Sequence, residues 1–393
     1  MLLWKVIIIT AGFQTIMNLT RPIITLYALD MGASTLDIGF LTAAYAFFPL
    51  LFAIHAGRVA DHVGDRLPTF LGLIGISIGM AIPYLFPTIA ALYASQFIVG
   101  IANVFITVSL QNILGNSASD QNRDYYFSMY ALAVAIGALI GPVIGGYLAE
   151  YISYSSAFFV SIIINFLPIV LSLFIPVIRK QKDIGRVKIS SSLSLLKMPI
   201  LRKALLTSAL VLYSKDIFVA YFPLFAKHND ISESVIGWII ATQGLATIAV
   251  RLFLTKLIYT FGRDLVLLAS VCIAGIAFLL VPLTSNVLLY FILSGLMGLG
   301  LGCGQPLSMA TTYNASPISR TGEVLGLRLA GNRLSQLIAP VFFGLVGTWA
   351  GVISVFYVSG TLLLGGIFVI RPRKQGEETG GRFFRFKSRE RED

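Results

Sequence analysis

Long apolar runs alternate with short polar or Pro/Gly-containing joints along the whole chain. Taken as helices, the runs fall at 4–28, 36–57, 68–87, 89–114, 125–149 and 155–178. After a polar stretch they resume at 202–226, 234–256, 264–283, 286–312, 322–348 and 351–370. An α-helix needs roughly 20 apolar residues to cross a bilayer, so the pattern predicts an all-α membrane protein of about twelve spans, with no length left for a soluble domain. The first run, Trp4 to Ala28, is too long for a secretory leader and lacks a small-residue cleavage site, so it is expected to be a retained span.

A second regularity lies across these runs. Ile38-Gly39 returns as Ile236-Gly237, Gly64 as Gly262, Gly100 as Gly298 and Pro142 as Pro340, each 198 positions on. Helical periodicity alone would not bring unlike landmarks back at one offset, so a duplicated six-span unit is expected. The organisation is then a six-helix bundle over 1–185, a cytoplasmic linker at 186–200, a second six-helix bundle over 201–372 and a basic tail over 373–393. With an even number of spans per unit, the two run parallel about an axis along the membrane normal. That geometry lets them rock around a central cleft.

Composition agrees: 56% of residues are hydrophobic and 12% charged, roughly half the charged share of a soluble domain. The net charge of +11 does not point to nucleic acid, because the cations gather on alternate joints. One side holds Lys5, Arg58, Arg66, Arg123, the basic stretch from Arg179 to Lys203, Lys256, Arg263, Arg320 and the tail; the other holds only Lys227. The positive-inside rule places both termini in the cytoplasm, in the plasma membrane of a bacterial-type cell. Cys272 and Cys303 lie inside apolar runs, and His55, His62 and His228 form no cluster with acids or cysteines, so neither disulfide nor metal is indicated. There is no Gly-rich phosphate loop followed by Lys and Ser/Thr. Neither enzyme chemistry nor a cofactor is expected, and a monomer in the lipid bilayer is. The stretch Arg382 to Lys387 is basic and aromatic, suited to anionic headgroups or to a solvated tail.

A charge at bilayer depth costs at least about 2.5 kcal/mol, so deep charges are candidates for function. Arg251 and Arg328 fall within about two turns of the basic side, where a long side chain can snorkel. Arg333 lies near the middle of the eleventh run, placed to meet substrate or an interhelical carbonyl. Asp216, next to Lys215 in the seventh run, corresponds through the 198 offset to Asn18, one turn from Arg21. Among the acids, Asp30, Asp37, Glu150 and Glu323 fall near run ends, which leaves Asp216 as the deep one. Arginine does not give up its proton, so a titrating site would be Asp216, paired with Arg21 and modulated by Lys215; a static ion pair is the competing reading. Asn18, Asn103, Thr107, Gln111, Tyr130, Gln305 and Gln336 are the neutral candidates for lining a substrate cavity with Arg333. The four-residue spacing of Asn103, Thr107 and Gln111 puts them on one helix face, and hydrogen-bonded packing between helices is the alternative.

Three segments resemble the major facilitator superfamily, and the similarity covers essentially the whole chain. The joint Gly57-Arg58-Val59-Ala60-Asp61-His62-Val63-Gly64-Asp65-Arg66 is similar to that family's loop signature. The resemblance implies a latch of Gly57, Asp61, Gly64 and Arg66, in which Asp61 meets a helix N-terminus of the eleventh span and locks the inner face; a purely topological role for the arginines competes. The fifth-run segment from Gly137 to Gly146 resembles a Gly-Pro motif of exporters and antiporters. In it, Gly137, Gly141, Gly145 and Gly146 permit close helix approach and Pro142 removes a backbone donor. The third segment, Gln96 to Gly100, begins with glutamine where proton-coupled members usually carry arginine, and Tyr259 stands where Asp61 would repeat. The family implies two pseudo-symmetric six-helix bundles working by alternating access. Its likeness to exporters implies efflux of a small amphiphilic drug-like or metabolic compound against protons. Proton-coupled uptake of a small metabolite, or a lipid-handling or sensing role, stays open.

Overall fold

A computed structural model describes residues 2–117, 123–176, 198–315 and 321–370. The expected linker and tail therefore lie outside the described residues, apart from a short stretch at the start of the seventh span. The first half contributes α1 (Leu2–Asp30), α2 (Thr35–Val63), α3 (Arg66–Leu85), α4 (Ile89–Ser117), α5 (Arg123–Tyr151) and α6 (Tyr154–Ser172). The second contributes α7 (Pro199–Lys227), α8 (Glu233–Phe261), α9 (Arg263–Leu280), α10 (Val287–Ala315), α11 (Thr321–Ala350) and α12 (Val352–Ile370). Helices α2, α4 and α6 map onto α8, α10 and α12 at an offset of 198 at both ends. The packing repeats with them: α1 lies on α5 and α6 as α7 lies on α11 and α12, and α3 lies on α4 and α6 as α9 lies on α10 and α12.

Ten of these helices are long and apolar enough to cross a membrane. The other two are α11, whose middle carries Arg328, Asn332, Arg333 and Gln336, and α12, with a shorter apolar stretch at Val352–Phe368. Helix ends differ from the apolar boundaries for a physical reason: a helix need not stop where its apolar run does. Helix α2 continues past residue 57 to Val63 and stops at Gly64, whose φ of 83° favours glycine; the equivalent Gly262 ends α8 at 78°. At its other end α2 opens on a capping box between Ser34 and Asp37, which accounts for an acid at that position. Helix α6 ends at Ser172, short of the predicted 178.

The start of α1 and the end of α12 lie on one face, called here the terminal face. The two cores differ in filling. Phe218, Phe222, Phe278, Tyr290 and Phe356 form a connected aromatic cluster in the second half, all at 0–1% exposure, whereas the first half buries Phe13 and Phe158 among aliphatic side chains such as Ile9, Ile16 and Leu19.

Candidate functional site

The halves meet through α2 on α11, α5 on α8, and α1 on α7. Near the face opposite the termini, glycines make two of these junctions. A Cβ on Gly39 would stand 2.5 Å from the Pro340 carbonyl oxygen, and Gly344 lies against the backbone of Thr35 and Leu36. The same pair of contacts recurs 198 residues on: Gly237 abuts the Pro142 carbonyl, and Gly146 abuts the backbone of Glu233 and Ser234. Side chains then fasten the two junctions differently. On α5/α8, Glu150 accepts from the Ser234 amide at 2.9 Å, while Glu233 accepts from Lys227 at 2.6 Å and from the Tyr154 hydroxyl at 2.7 Å. Beside α2/α11, the Tyr221 hydroxyl of α7 donates to the Pro340 carbonyl at 2.6 Å, a bond within the second half that holds the carbonyl met by Gly39.

The fifth-helix motif divides between two faces. Gly137, Gly141 and Gly145 seat α5 on α1, where a Cβ would come within 2.6–2.7 Å of the backbone of Gln14, Thr15 and Leu19. Pro142 and Gly146 face α8 instead. One four-residue stripe thus packs a half together and the next joins the halves.

Beneath the junctions lies a chain of polar contacts across both halves. Partly exposed positions on α1 recur at Ala11, Gln14, Asn18 and Arg21, and on α7 at Leu212, Lys215 and Val219, so each helix turns one face to the space between the halves. Arg333 on α11 donates through Nη1 to Gln336 Oε1 at 2.9 Å, and Gln336 Nε2 donates to Asp216 Oδ2 at 2.7 Å. The other carboxylate oxygen, Oδ1, accepts from Arg21 Nη1 at 2.9 Å, and the Arg21 guanidinium sits over the Tyr45 ring, 4.9 Å from its centroid. Arg21 is 30% exposed against 9% for Asp216, so the pair is reached from the Arg21 side. That side opens on a space of about 30 Å³ lined by Arg21, Thr42, Tyr45, Gln96 and Asp216, enough for water to reach the charges.

Lys215 stands apart from this chain. It makes no hydrogen bond or ion pair among the described residues, and the charges that act on it are Asp216, Arg251 and Arg21. It lies about 18 Å along α7 from Lys227, from a helical rise of ~1.5 Å per residue, too deep for its ammonium to reach the bilayer edge.

The remaining candidates are placed as follows. Asn18 donates to the Gln14 carbonyl within α1, and the Thr107 hydroxyl donates to Asn103 Oδ1 at 3.3 Å within α4. Tyr130 on α5 and Gln111 on α4 lie near one another. Arg251 Nε donates to the Gly302 carbonyl at 3.4 Å, and Arg328 is buried. Gly64 is buried in its turn and Arg66 begins α3. The side chains of Gln305 and Asp61, and Gly57 with them, lie outside the described residues, so the latch cannot be assembled from its parts. Sequence reasoning missed Tyr45 and Tyr221, which carry no charge or motif to mark them; Gln96 was noted only for the arginine it replaces.

A family model for the Major Facilitator Superfamily matches residues 6–228 and 204–389, almost the whole chain. The chain belongs to this superfamily. The MFS-type transporter MJ1560 of Methanocaldococcus jannaschii is 22% identical over 363 residues, covering 89% of this chain and 92% of that protein. YfiS of Bacillus subtilis, also MFS-type, is 23% identical over 368 residues, covering 87% and 85%. The multidrug resistance protein MdtG of Escherichia coli matches at 32% over 108 residues, 28% of this chain and 26% of its own length. Among solved structures, a POT family transporter in complex with 5-aminolevulinic acid aligns at TM-score 0.80 with 14% identity over 94% of this chain and 95% of its own. The nucleoside transporter NupG aligns at 0.80 with 12% identity over 94% and 99%.

As a major facilitator protein, the chain is a multi-pass membrane transporter with a small-molecule substrate, its twelve helices in two six-helix bundles. The contacts above give this facilitator a definite posture: among the described residues, the glycine junctions close the space between the bundles near the face opposite the termini.

Proposed function

We propose that this chain is a secondary active exporter in a bacterial-type plasma membrane, exchanging a small amphiphilic compound for protons by alternating access. The terminal face is cytoplasmic on this reading, so the posture is closed to the outside. The observation that carries the proposal is the position of Asp216. It is the one carboxylate deep in the described helices, and it is held from both halves at once, by Arg21 of the first and Gln336 of the second. Rocking the halves apart at the outer junctions draws α1 from α7 and lengthens the Arg21 contact. On this reading the Asp216 carboxylate, parted from its cation, exchanges its proton with the outside. Return to the closed posture brings Arg21 back, and the proton leaves toward the cytoplasm as the pair re-forms. A gradient of protons inward thereby drives the cycle, and substrate loaded from the cytoplasm leaves when the outer junctions part. The Gly-Pro segment of α5 and the partial similarity to MdtG support export over uptake. The overall likeness to POT and nucleoside transporter structures favours the second reading, proton-coupled uptake.

The test is gradient-driven flux in inverted vesicles. Asp216→Asn should abolish flux driven by a pH gradient while leaving substrate exchange at equal pH on both sides. Full gradient-driven flux in that variant would make Asp216 a static structural acid. Stimulation of flux by a gradient of the opposite polarity would favour uptake.

A further inference from the structure

We infer that the compound carried by this chain is an organic anion, and that Lys215 is the residue that meets its negative group. The inference deepens the export reading by naming a substrate class for the same cavity. It does not depend on which ion drives the cycle.

The deep charges of the described helices do not balance. Arg21 is neutralised by Asp216, and no further carboxylate lies at that depth to meet Lys215, Arg251 or Arg333. Arg251 donates to a carbonyl and Arg333 to an amide oxygen, contacts that satisfy a donor without cancelling a charge. Lys215 makes neither kind of contact. It is half-buried on the open face of α7, on the same stripe as Leu212 and Val219, which flank it about one turn on either side. A lysine buried for structural reasons is paired or satisfied by carbonyls. One on a partly exposed helix face, with no partner for its donors among the described residues, instead offers a point charge to something that enters between the halves.

The flanking chemistry selects the body of that entrant. On the same partly exposed stripe of α7 as Lys215 lie the apolar Leu212 and Val219, and the partly exposed stripe of α1 carries Ala11 with the amides Gln14 and Asn18. This set suits a carboxylate, sulfonate or phosphate on an apolar or aromatic frame rather than a small hydrated inorganic ion. Apolar surface beside the ammonium makes the attraction stronger than between the same charges in bulk water. Arg251, within electrostatic reach of Lys215, adds a second positive charge on the side away from Arg21.

Two dyes that differ by one group test the inference: 8-anilinonaphthalene-1-sulfonate and its uncharged parent N-phenyl-1-naphthylamine. Both are titrated against the full chain in nanodiscs, with protein-free nanodiscs subtracted. The wild-type chain should bind the sulfonate saturably and more tightly than the parent. Lys215→Met, which keeps the length of the side chain and removes its charge, should weaken the sulfonate about tenfold and leave the parent unchanged. Lys215→Arg should hold sulfonate binding within about threefold, and its folding guards against a misfolded Met variant. Absence of saturable sulfonate binding in the wild type, or an equal effect of Lys215→Met on both dyes, overturns the assignment. So does full sulfonate binding by Lys215→Met. Because these titrations use no gradient, they stand or fall apart from the Asp216→Asn flux result.

Discussion

In the first half, the described deep polar groups of α1, α4 and α5 are amides and hydroxyls, with Arg21 as the charge among them. In the second half, equivalent positions carry different chemistry: Asp216 where the first has Asn18, Arg328 where it has Tyr130, and Arg333 and Gln336 where it has Ala135 and Ala138. The backbones tell the opposite story. Three of the six helix pairs begin and end on corresponding residues, and Gly39 on Pro340 is the same contact as Gly237 on Pro142. Duplication here has kept what brings the bundles together and let the lining of the cleft diverge. A machine that must close symmetrically but act on an asymmetric substrate requires that division.

The largest effect is expected from moving the carboxylate between halves. The double variant Asn18→Asp with Asp216→Asn keeps one acid near Arg21 but places it on the same helix, where rocking cannot separate the two. Gradient-driven flux in inverted vesicles should stay abolished, as in Asp216→Asn alone; recovery to wild-type flux would mean that an acid in either half suffices. Next in size are the glycines. Gly39→Val and Gly237→Val each drive a side chain into a carbonyl of the other half, so each should cut transport by more than about tenfold with expression retained. If one is silent and the other is not, the junctions are not equivalent in action. The smallest effect is expected from Tyr221→Phe, which loses one neutral hydrogen bond, worth about 1 kcal/mol. The bond joins α7 to α11 within the second half, so the balance between closed and open outer faces should move by less than about twofold, read by thiol labelling of a cysteine introduced at the α2/α11 junction. Glu233→Gln should exceed it, because the Tyr154 hydroxyl, which reaches Glu233 from the first half, would lose its charged acceptor.

Much of the architecture was legible because the bilayer and the duplication both write long-range signals: twenty-residue apolar runs, alternating basic joints and one repeated offset. That offset also brought Asp216 to the neighbourhood of Arg21, which turned two isolated deep charges into a candidate pair. What could not be read depends on which faces touch. Gln336 was a plausible cavity amide, but its bond to Asp216 joins residues 120 positions apart on helices whose rotation no periodicity specifies. The division of the α5 motif was equally hidden, since Gly145 and Gly146 are neighbours in sequence and serve different helices. Lys215 was expected to tune the Arg21 pair; that it also lacks a bonded partner among the described residues could not be read, since an absence leaves no mark on a sequence.

Pro340, one of the two prolines in the glycine junctions, has a consequence within its own helix. Having no N–H, it leaves without its helical donor the carbonyl four residues earlier, and that residue is Gln336. Helix α11 is therefore least stiff at the turn whose side chain holds the Asp216 carboxylate. The side chain that holds Asp216 and the carbonyl that Pro340 leaves without its helical donor thus belong to one residue, Gln336, so a pull on the first acts where the helix bends most easily.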